Sequence, residues 1–287
     1  MLRFNKFGYY ADDWYMIYSG IKFGAARFFD IFASDRPFRG QLQYILYSIF
    51  RTNITAYYVL SVIVHLLASI TLWWMLLLIW KDKWIQVTLS AAIFLIYPGF
   101  LEHPNAFDYQ AHLFALLFML LSIAFSIKFF TAKPLLKVVF FLFSLAFALL
   151  SFMLIEYFVG MEAYRYLFLF FFLWNRKPDK GFAKIKRLVF STMLFALPAI
   201  FFIRWRIFSF ESTRYATDVD RLFSSYGEST LLTIFNIVKR WFIDIGDVTF
   251  GAFTVPASQL LPKLGGFDFL LAVGMAVFAV SCLVLFL

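Results

Sequence analysis

Long apolar stretches limit the folds that are open to this chain. A helix needs about 20 mostly apolar residues to cross a bilayer, and seven stretches meet this requirement: 54–80, 84–101, 107–127, 135–155, 156–174, 188–207 and 268–287. The chain is 63% hydrophobic and 15% charged, whereas a soluble domain has about 45–50% apolar and about 25% charged residues. A soluble enzyme, a disordered chain and a nucleic-acid-binding module are therefore excluded. We expect an all-α polytopic membrane protein with about seven transmembrane helices, surrounded by membrane lipids.

The distribution of basic residues predicts which side each loop faces. If the seven stretches alternate in direction, the connectors 81–83, 128–137 and 175–187 face one side, and all three are rich in Lys and Arg. The connectors 102–106 and 155–156 on the other side contain neither residue. Because basic connectors stay in the cytoplasm, we expect a multi-pass protein of the cell membrane whose active face is extracytoplasmic.

This topology divides the chain into an extracytoplasmic segment 1–53, a six-span core 54–207, an extracytoplasmic loop 208–267 and a seventh span 268–287. The loop contains an amphipathic run at 229–243, so we expect interfacial helices that lie along the membrane surface. No span precedes residues 1–53, and the last apolar stretch stops at Leu287 without a polar cap. We therefore expect a fragment that lacks a first span and a C-terminal part.

An acidic pair, Asp12 and Asp13, lies in the aromatic segment Tyr9–Tyr15. Adjacent side chains point in different directions on a helix or a strand, so the two carboxylates cannot have the same role. One of them could face a reaction centre while the other caps a helix or holds a metal ion. The alternative is that one of the pair is only a helix N-cap beside an aromatic belt.

A second group of polar residues consists of Glu102, His103, Asp108 and His112. Asp108 and His112 are four residues apart, so on a helix they share a face. A carboxylate and an imidazole suit a divalent cation or a base that is held by an acid. A divalent metal ion is therefore a candidate cofactor for these four residues. The alternative is a polar connector that caps two helices.

A third acidic residue, Glu156, opens the fifth apolar stretch. Glu162 and Arg165 follow it and are three residues apart, which predicts an ion pair within the helix. Glu156 has no basic residue at a distance of three or four. We therefore expect its carboxylate to remain free for function.

Arginines end the sixth apolar stretch on the side opposite to the basic connectors. These are Arg204 and Arg206, and Arg214 follows in the loop. Arginine binds phosphate through two parallel hydrogen bonds, which lysine cannot do. The sequence therefore indicates a phosphate-binding role, and the alternative is that these side chains extend to lipid headgroups.

Five short motifs occur in an order that is typical of one family. They are Asp12-Asp13, Asp35-Arg36-Pro37-Phe38, Asn53…Tyr57…His65-Leu66-Leu67, Pro98-Gly99-Phe100-Leu101-Glu102 and Glu156. In these motifs, over roughly residues 8 to 175, the chain resembles the polytopic glycosyltransferases of the GT-C type. The likeness is above all to the protein O-mannosyltransferase-like and tetratricopeptide-bearing transmembrane branches and their bacterial relatives. The chain departs from the pattern at Ile155, where a lysine often precedes the later glutamate.

The resemblance implies the transfer of a sugar from a polyprenyl-phosphate-linked donor to a glycan, lipid or protein acceptor on the extracytoplasmic face. An acceptor hydroxyl needs a carboxylate that takes its proton as the new bond forms. The resemblance implies that Asp12 or Asp13 is this base, and we favour Asp13 because it adjoins the helix expected to start at Trp14.

The remaining candidate residues receive roles in binding from the same resemblance. Glu102 and Glu156 would orient the acceptor, the donor sugar or a metal ion. The leaving group is a lipid phosphate whose developing charge needs arginine or a metal ion, and Arg204, Arg206 or Arg214 would hold it.

Two other functions are compatible with a polytopic chain. A carrier or flippase for lipid-linked sugars would place charges along a path through the bundle and at both faces. The acidic residues of this sequence instead crowd at one face, and charge in the middle of the spans is nearly absent, which favours an enzyme. A catalytically inert membrane scaffold is the third possibility.

Overall fold

The computed structural model describes residues 8–97, 100, 104–174, 186, 189–190, 193–211, 230–260, 263 and 265–286. Regular structure in these residues is helical, and no strand occurs among them, so the prediction of an all-α chain is confirmed there. The chain divides into two compact units. The first comprises Met1–Leu95 and Glu102–Ser212, and the second Ile96–Leu101 and Thr213–Leu287.

The first unit contains the long apolar helices and a group of short ones before them. Its helices are α1 (Asp12–Phe23), α2 (Arg27–Phe32), α3 (Pro37–Phe50), α4 (Ile54–Ile79), α5 (Trp84–Ile96), α6 (Gln110–Phe129), α7 (Pro134–Leu154), α8 (Glu162–Trp174) and α9 (Leu197–Phe208). Short 3₁₀ turns at Lys81–Lys83 and Glu156–Met161 join neighbouring helices. Asn53 caps α4, because its side-chain oxygen accepts a hydrogen bond from Ala56 N.

Three of the seven predicted spans form helices that are long and apolar enough to cross a membrane, namely α4, α6 and α7. The stretches 84–101 and 156–174 instead give helices of 13 residues, and α9 in the stretch 188–207 has 12. These are shorter than the roughly 20 residues that a span needs. The stretch 268–287 lies in α12 (Gly266–Phe286), of which Phe269–Phe278 is apolar and fully described. The prediction of seven spans is therefore wrong for the described residues, which support three.

Local backbone chemistry explains two of the shorter helices. In the stretch 156–174, a 3₁₀ turn uses Glu156–Met161 before α8 begins. In the stretch 188–207, a turn at Ala196 interrupts the helical residues, and Pro198 occupies the first turn of α9. Proline has no N–H to donate and is tolerated in the first turn of a helix. A new helix therefore starts at Leu197, with Pro198 in its first turn.

The core of the first unit lies between α4, α6, α7 and α8. Met75, Met119, Ile123, Phe152 and Leu169 are all buried there. Stacked rings, including Phe125 of α6 against Phe147 of α7, add to the contact between these two helices. Close packing of such side chains holds helices together in a membrane, so this core fixes the helices relative to one another.

An ion pair lies halfway along α6 and α7. Glu162 and Arg165 pair as predicted, with Arg165 Nε 2.7 Å from Glu162 Oε2. The other Arg165 donors reach Glu162 Oε1, Ser122 Oγ and carbonyl, and Ser144 Oγ. Ser122 and Ser144 are near the midpoints of their helices. The expectation that charge is nearly absent from the middle of the spans is therefore wrong.

The second unit begins with an amphipathic helix. It contains α10 (Thr230–Gly246), a π-helical turn (Asp247–Gly251), α11 (Ala252–Leu260) and α12. The helix predicted from the run at 229–243 is confirmed for its described residues, and Trp241 and Phe242 are exposed on it. Tyr97 belongs to this unit, and its hydroxyl donates to Val248 O at 2.6 Å.

Candidate functional site

The acidic pair opens α1, and its two side chains have opposite environments. The helix begins at Asp12, after Ala11, whose positive φ of 44° turns the chain into it. Asp13 is fully buried and Asp12 is exposed, so the two side chains point in different directions, as predicted. Neither is the N-cap, which is Ala11, so the capping alternative is wrong. The helix also begins two residues before the expected start at Trp14.

One oxygen of Asp13 is bound by the loop that precedes α6. Asp13 Oδ1 accepts hydrogen bonds from Phe107 N at 3.0 Å and from Asp108 N at 2.8 Å. With the Asn105 amide oriented to suit its neighbours, Asn105 Nδ2 also donates to Asp13 Oδ1, at 2.8 Å. This group, which we call the 105–108 loop, therefore fixes the orientation of the carboxylate.

The second oxygen of Asp13 has a different environment. Asp13 Oδ2 is buried and has no hydrogen-bond partner among the described residues. Burial raises the pKa of Asp13 to about 6, although the N–H groups of Asp108 and Phe107 oppose the rise. An isolated carboxylate oxygen with a pKa near neutrality is a stronger base than an ordinary aspartate.

Side chains of α3 hold the far side of the 105–108 loop. Arg39 Nη2 donates to the Asp108 carbonyl at 3.0 Å and forms an ion pair with the Asp108 carboxylate. Gln43 Nε2 donates to Phe107 O at 3.0 Å. Arg39 is 4% exposed and Gln43 is fully buried, so these contacts are shielded from water and strong.

A second charged group extends from Arg36, the residue before α3, to the turn after α7. Arg36 Nε and Nη2 donate to the two oxygens of Glu156 at 2.6 and 2.7 Å. Burial would raise the pKa of Glu156, but the Arg36 hydrogen bonds and charge hold it at about 2. The expectation that Glu156 is free is wrong, because its partner lies 120 residues away. Arg206 Nη1 donates to the Asp35 carbonyl at 2.8 Å and so joins this group.

These residues lie at one end of the three long helices. Residues at that end include Asn53 before α4, Asp108 before α6 and Glu156 after α7. Gln110 links two of the helices there, since its Nε2 donates to Tyr57 O and Ser61 Oγ of α4 and to Ala106 O. The basic connectors lie at the opposite end of these helices: Lys81 and Lys83 follow the end of α4, and Lys133 precedes the start of α7. The topology thus collects distant acidic residues in one place.

The structure does not support the grouping of Asp108 and His112 as metal ligands. Asp108 precedes α6 and its carboxylate is paired with Arg39. The His112 ring stacks on Tyr109 and lies near Tyr157, and its Nδ1 is buried without a partner. Among the described residues, no three His, Cys, Asp or Glu side chains are placed to hold a metal ion.

The other predicted residues have mixed outcomes. Glu102, His103 and Arg214 lie outside the described residues, so their roles stay predictions. Arg204 is exposed at the end of α9. Arg206 contributes to the site through Asp35.

Sequence spacing does not single out Arg39, Gln43 and Gln110, which hold the 105–108 loop, or Asn105, which lies within it. A signal for two of them is present in the sequence. Arg36, Arg39 and Gln43 recur at the spacing i, i+3 and i+7 in a mostly apolar helix, and this spacing places them on one face. A polar face on an apolar helix indicates buried polar partners.

No family model, curated protein or solved structure matches this chain.

Proposed function

We propose that this chain is a glycosyltransferase of the GT-C type, which uses Asp13 as its general base. It transfers a sugar from a polyprenyl-phosphate-linked donor to an acceptor hydroxyl on the extracytoplasmic face of a membrane. The observation that carries the proposal is the asymmetry of the Asp13 carboxylate: one oxygen accepts three hydrogen bonds, and the other, also buried, accepts none from the part of the chain that the structure describes.

The chemistry of the transfer fits this asymmetry. The acceptor oxygen forms a bond to the anomeric carbon, and the bond between that carbon and the phosphate oxygen breaks with its electron pair on the phosphate. The proton of the acceptor hydroxyl passes to Asp13 Oδ2, while Oδ1 stays bound to the 105–108 loop. A base with a pKa of about 6 is largely ionised at neutral pH and still accepts a proton readily.

Arginines near the site support the binding of a lipid phosphate. The Arg206 side chain is 25% exposed; its Nη1 donates to the Asp35 carbonyl at 2.8 Å, and its Nη2 lies 3.9 Å from Asp35 Oδ1, a long contact. Part of its guanidinium is therefore available for an anion, with which arginine forms strong paired hydrogen bonds. Arg36 is instead engaged with Glu156, so we assign it to the framework of the site.

Transport receives less support from the same contacts. The Arg165 group is the charged group in the middle of the long helices, and its five N–H donors all have acceptors. A path for a polar substrate needs groups that exchange partners with the substrate. A group without a spare donor is better suited to holding helices together.

The test compares Asp13→Asn with Asp12→Asn, its adjacent and exposed neighbour. Membranes that contain each variant are supplied with a panel of radiolabelled polyprenyl-phosphate sugars, and label transferred to acceptors is measured. We expect Asp13→Asn to lower the transfer rate by about 10²–10⁴-fold and Asp12→Asn to leave it near that of the unchanged protein. Equal rates for Asp13→Asn and the unchanged protein would refute the assignment of the base. Passage of intact donor across vesicles, without transfer, would establish the carrier instead.

A further inference from the structure

The 105–108 loop binds the carboxylate of Asp13, and side chains of α3 bind the loop on its other side. Phe107 and Asp108 each use the backbone N–H to bind Asp13 Oδ1 and the carbonyl oxygen to accept from α3. Gln43 donates to the Phe107 carbonyl, and Arg39 donates to the Asp108 carbonyl. A displacement of either peptide therefore moves a donor of Asp13.

The α3 side of this arrangement is rigid. Arg39 and Gln43 are four residues apart on one helix, and both are almost completely buried. Arg39 also packs against Phe32, with its guanidinium carbon 4.8 Å from the ring centre. From the other side, Gln110 holds Ala106 O of the same loop. Side chains from two helices thus hold the backbone of the loop.

From this arrangement we propose that Arg39 and Gln43 are positioning residues, which act through the 105–108 loop to hold the Asp13 carboxylate in the orientation that points one oxygen at the acceptor. The inference rests on the proposed function of Asp13 as the base. If the loop is released, the carboxylate is no longer held at one angle, and its free oxygen spends less time within reach of the acceptor hydroxyl. Proton transfer depends on such placement to within a few tenths of an ångström.

The surroundings of Asp13 make the loop its main anchor. The titratable side chains that influence Asp13 from the adjoining segments are Asp108, Tyr9, Tyr57 and Tyr58. The tyrosine hydroxyls bond elsewhere: Tyr9 to Thr52 O, Tyr57 to Arg51 O and Tyr58 to Gly8 O and Pro104 O. Among the described residues, the hydrogen bonds to the Asp13 carboxylate come from the 105–108 loop.

The first part of the test measures the kinetics of transfer. Arg39→Met and Gln43→Met remove the donors and keep the apolar volume, and Arg39→Lys keeps a charged donor. Arg27→Met is the matched control, because Arg27 forms an exposed ion pair with Asp30 away from the loop. We expect kcat to fall by about 10²-fold in Arg39→Met with little change in KM for the donor. Arg39→Lys should be about tenfold more active than Arg39→Met.

The second part does not depend on activity. Carbodiimide labels accessible carboxylates, and peptide mass spectrometry then compares Asp13 with Glu162, which is buried in the separate Arg165 group. We expect Arg39→Met and Gln43→Met to expose Asp13 to labelling while Glu162 stays protected. Arg27→Met should expose neither carboxylate.

The outcomes separate this inference from the proposed function. Increased labelling of Asp13 in the two loop variants, with a fall in kcat that lysine partly restores, supports the inference. If the variants increase the labelling of Asp13 but the unchanged protein transfers no sugar, the loop does hold Asp13 and the proposed function is overturned. Unchanged labelling of Asp13, a change in KM alone or equal exposure of Glu162 overturns the positioning role.

Discussion

Replacement of Asp13 by asparagine should stabilise the protein at neutral pH while it removes activity. Burial raises the pKa of Asp13 from 3.8 to about 6, so the folded protein binds more protons than the unfolded chain between pH 4 and pH 6. The corresponding stabilisation is present in full below pH 4 and is lost as the pH rises to 6. A difference of about two pKa units corresponds to about 3 kcal/mol.

Asparagine keeps the shape and the bound oxygen of this side chain. Its Oδ1 can accept the hydrogen bonds of the 105–108 loop, although neutral bonds are weaker, and its Nδ2 replaces the unpartnered Oδ2. The weaker hydrogen bonds to Oδ1 and the buried Nδ2 without an acceptor each offset part of the relief of the burial cost. We therefore expect Asp13→Asn to be more stable than the unchanged protein by about 2 kcal/mol at pH 7.5. At pH 4, where Asp13 is protonated in the folded protein and partly protonated in the unfolded chain, most of this gain is lost, and the difference should vanish or reverse.

The assay is the free energy of unfolding in detergent at the two pH values, measured by titration with a denaturant. Asp12→Asn is the control, since this exposed residue should change stability by less than about 0.5 kcal/mol at either pH. If the difference between Asp13→Asn and the unchanged protein is the same at pH 4 and pH 7.5, the Asp13 carboxylate carries no burial cost. The reasoning about its strength as a base then fails as well.

Two further predictions concern the pH dependence of the transfer rate and the stability of the Arg165 group. The rate of transfer at low donor concentration should fall about tenfold per pH unit below pH 6, because Asp13 must be ionised to accept a proton; a rate independent of pH between 4.5 and 6 contradicts this. Arg165→Met leaves Glu162 buried without its partner and should lower the free energy of unfolding by about 3–5 kcal/mol. The double variant with Glu162→Leu should recover most of this loss, and a double variant as unstable as Arg165→Met would show that the charges are not coupled.

The long helices were predictable because their apolar runs have no competing interpretation. The stretches 54–80, 107–127 and 135–155 correspond closely to α4, α6 and α7. The shorter stretches failed because apolar composition does not distinguish a span from a short helix that packs against its neighbours. The 3₁₀ turn before α8 and the helix start at Pro198 depend on local backbone geometry, which hydropathy does not report.

The site was only partly predictable, for a reason of sequence distance. Asp13 stands out as one of two adjacent acids, and its difference from Asp12 follows from helix geometry. Glu156 was predicted to be free because spacing rules compare residues three or four apart, whereas Arg36 pairs with it across 120 positions. The same limit hid Arg39, whose partner Asp108 lies 69 positions further along. Such pairs form only when the ends of α4, α6 and α7 are brought together.

The two buried polar groups of the first unit differ in completeness, and this difference favours catalysis. The Arg165 group satisfies every donor of its guanidinium. Around the 105–108 loop, by contrast, five buried side-chain atoms have no hydrogen-bond partner among the described residues: Asp13 Oδ2, Arg39 Nε, Gln43 Oε1, Gln110 Oε1 and His112 Nδ1. Each such atom costs about 1–3 kcal/mol, and a purely structural group gains nothing from that cost. Substrate hydroxyls or ordered water would supply these partners, so the incomplete group is where a bound molecule is expected to change the protein.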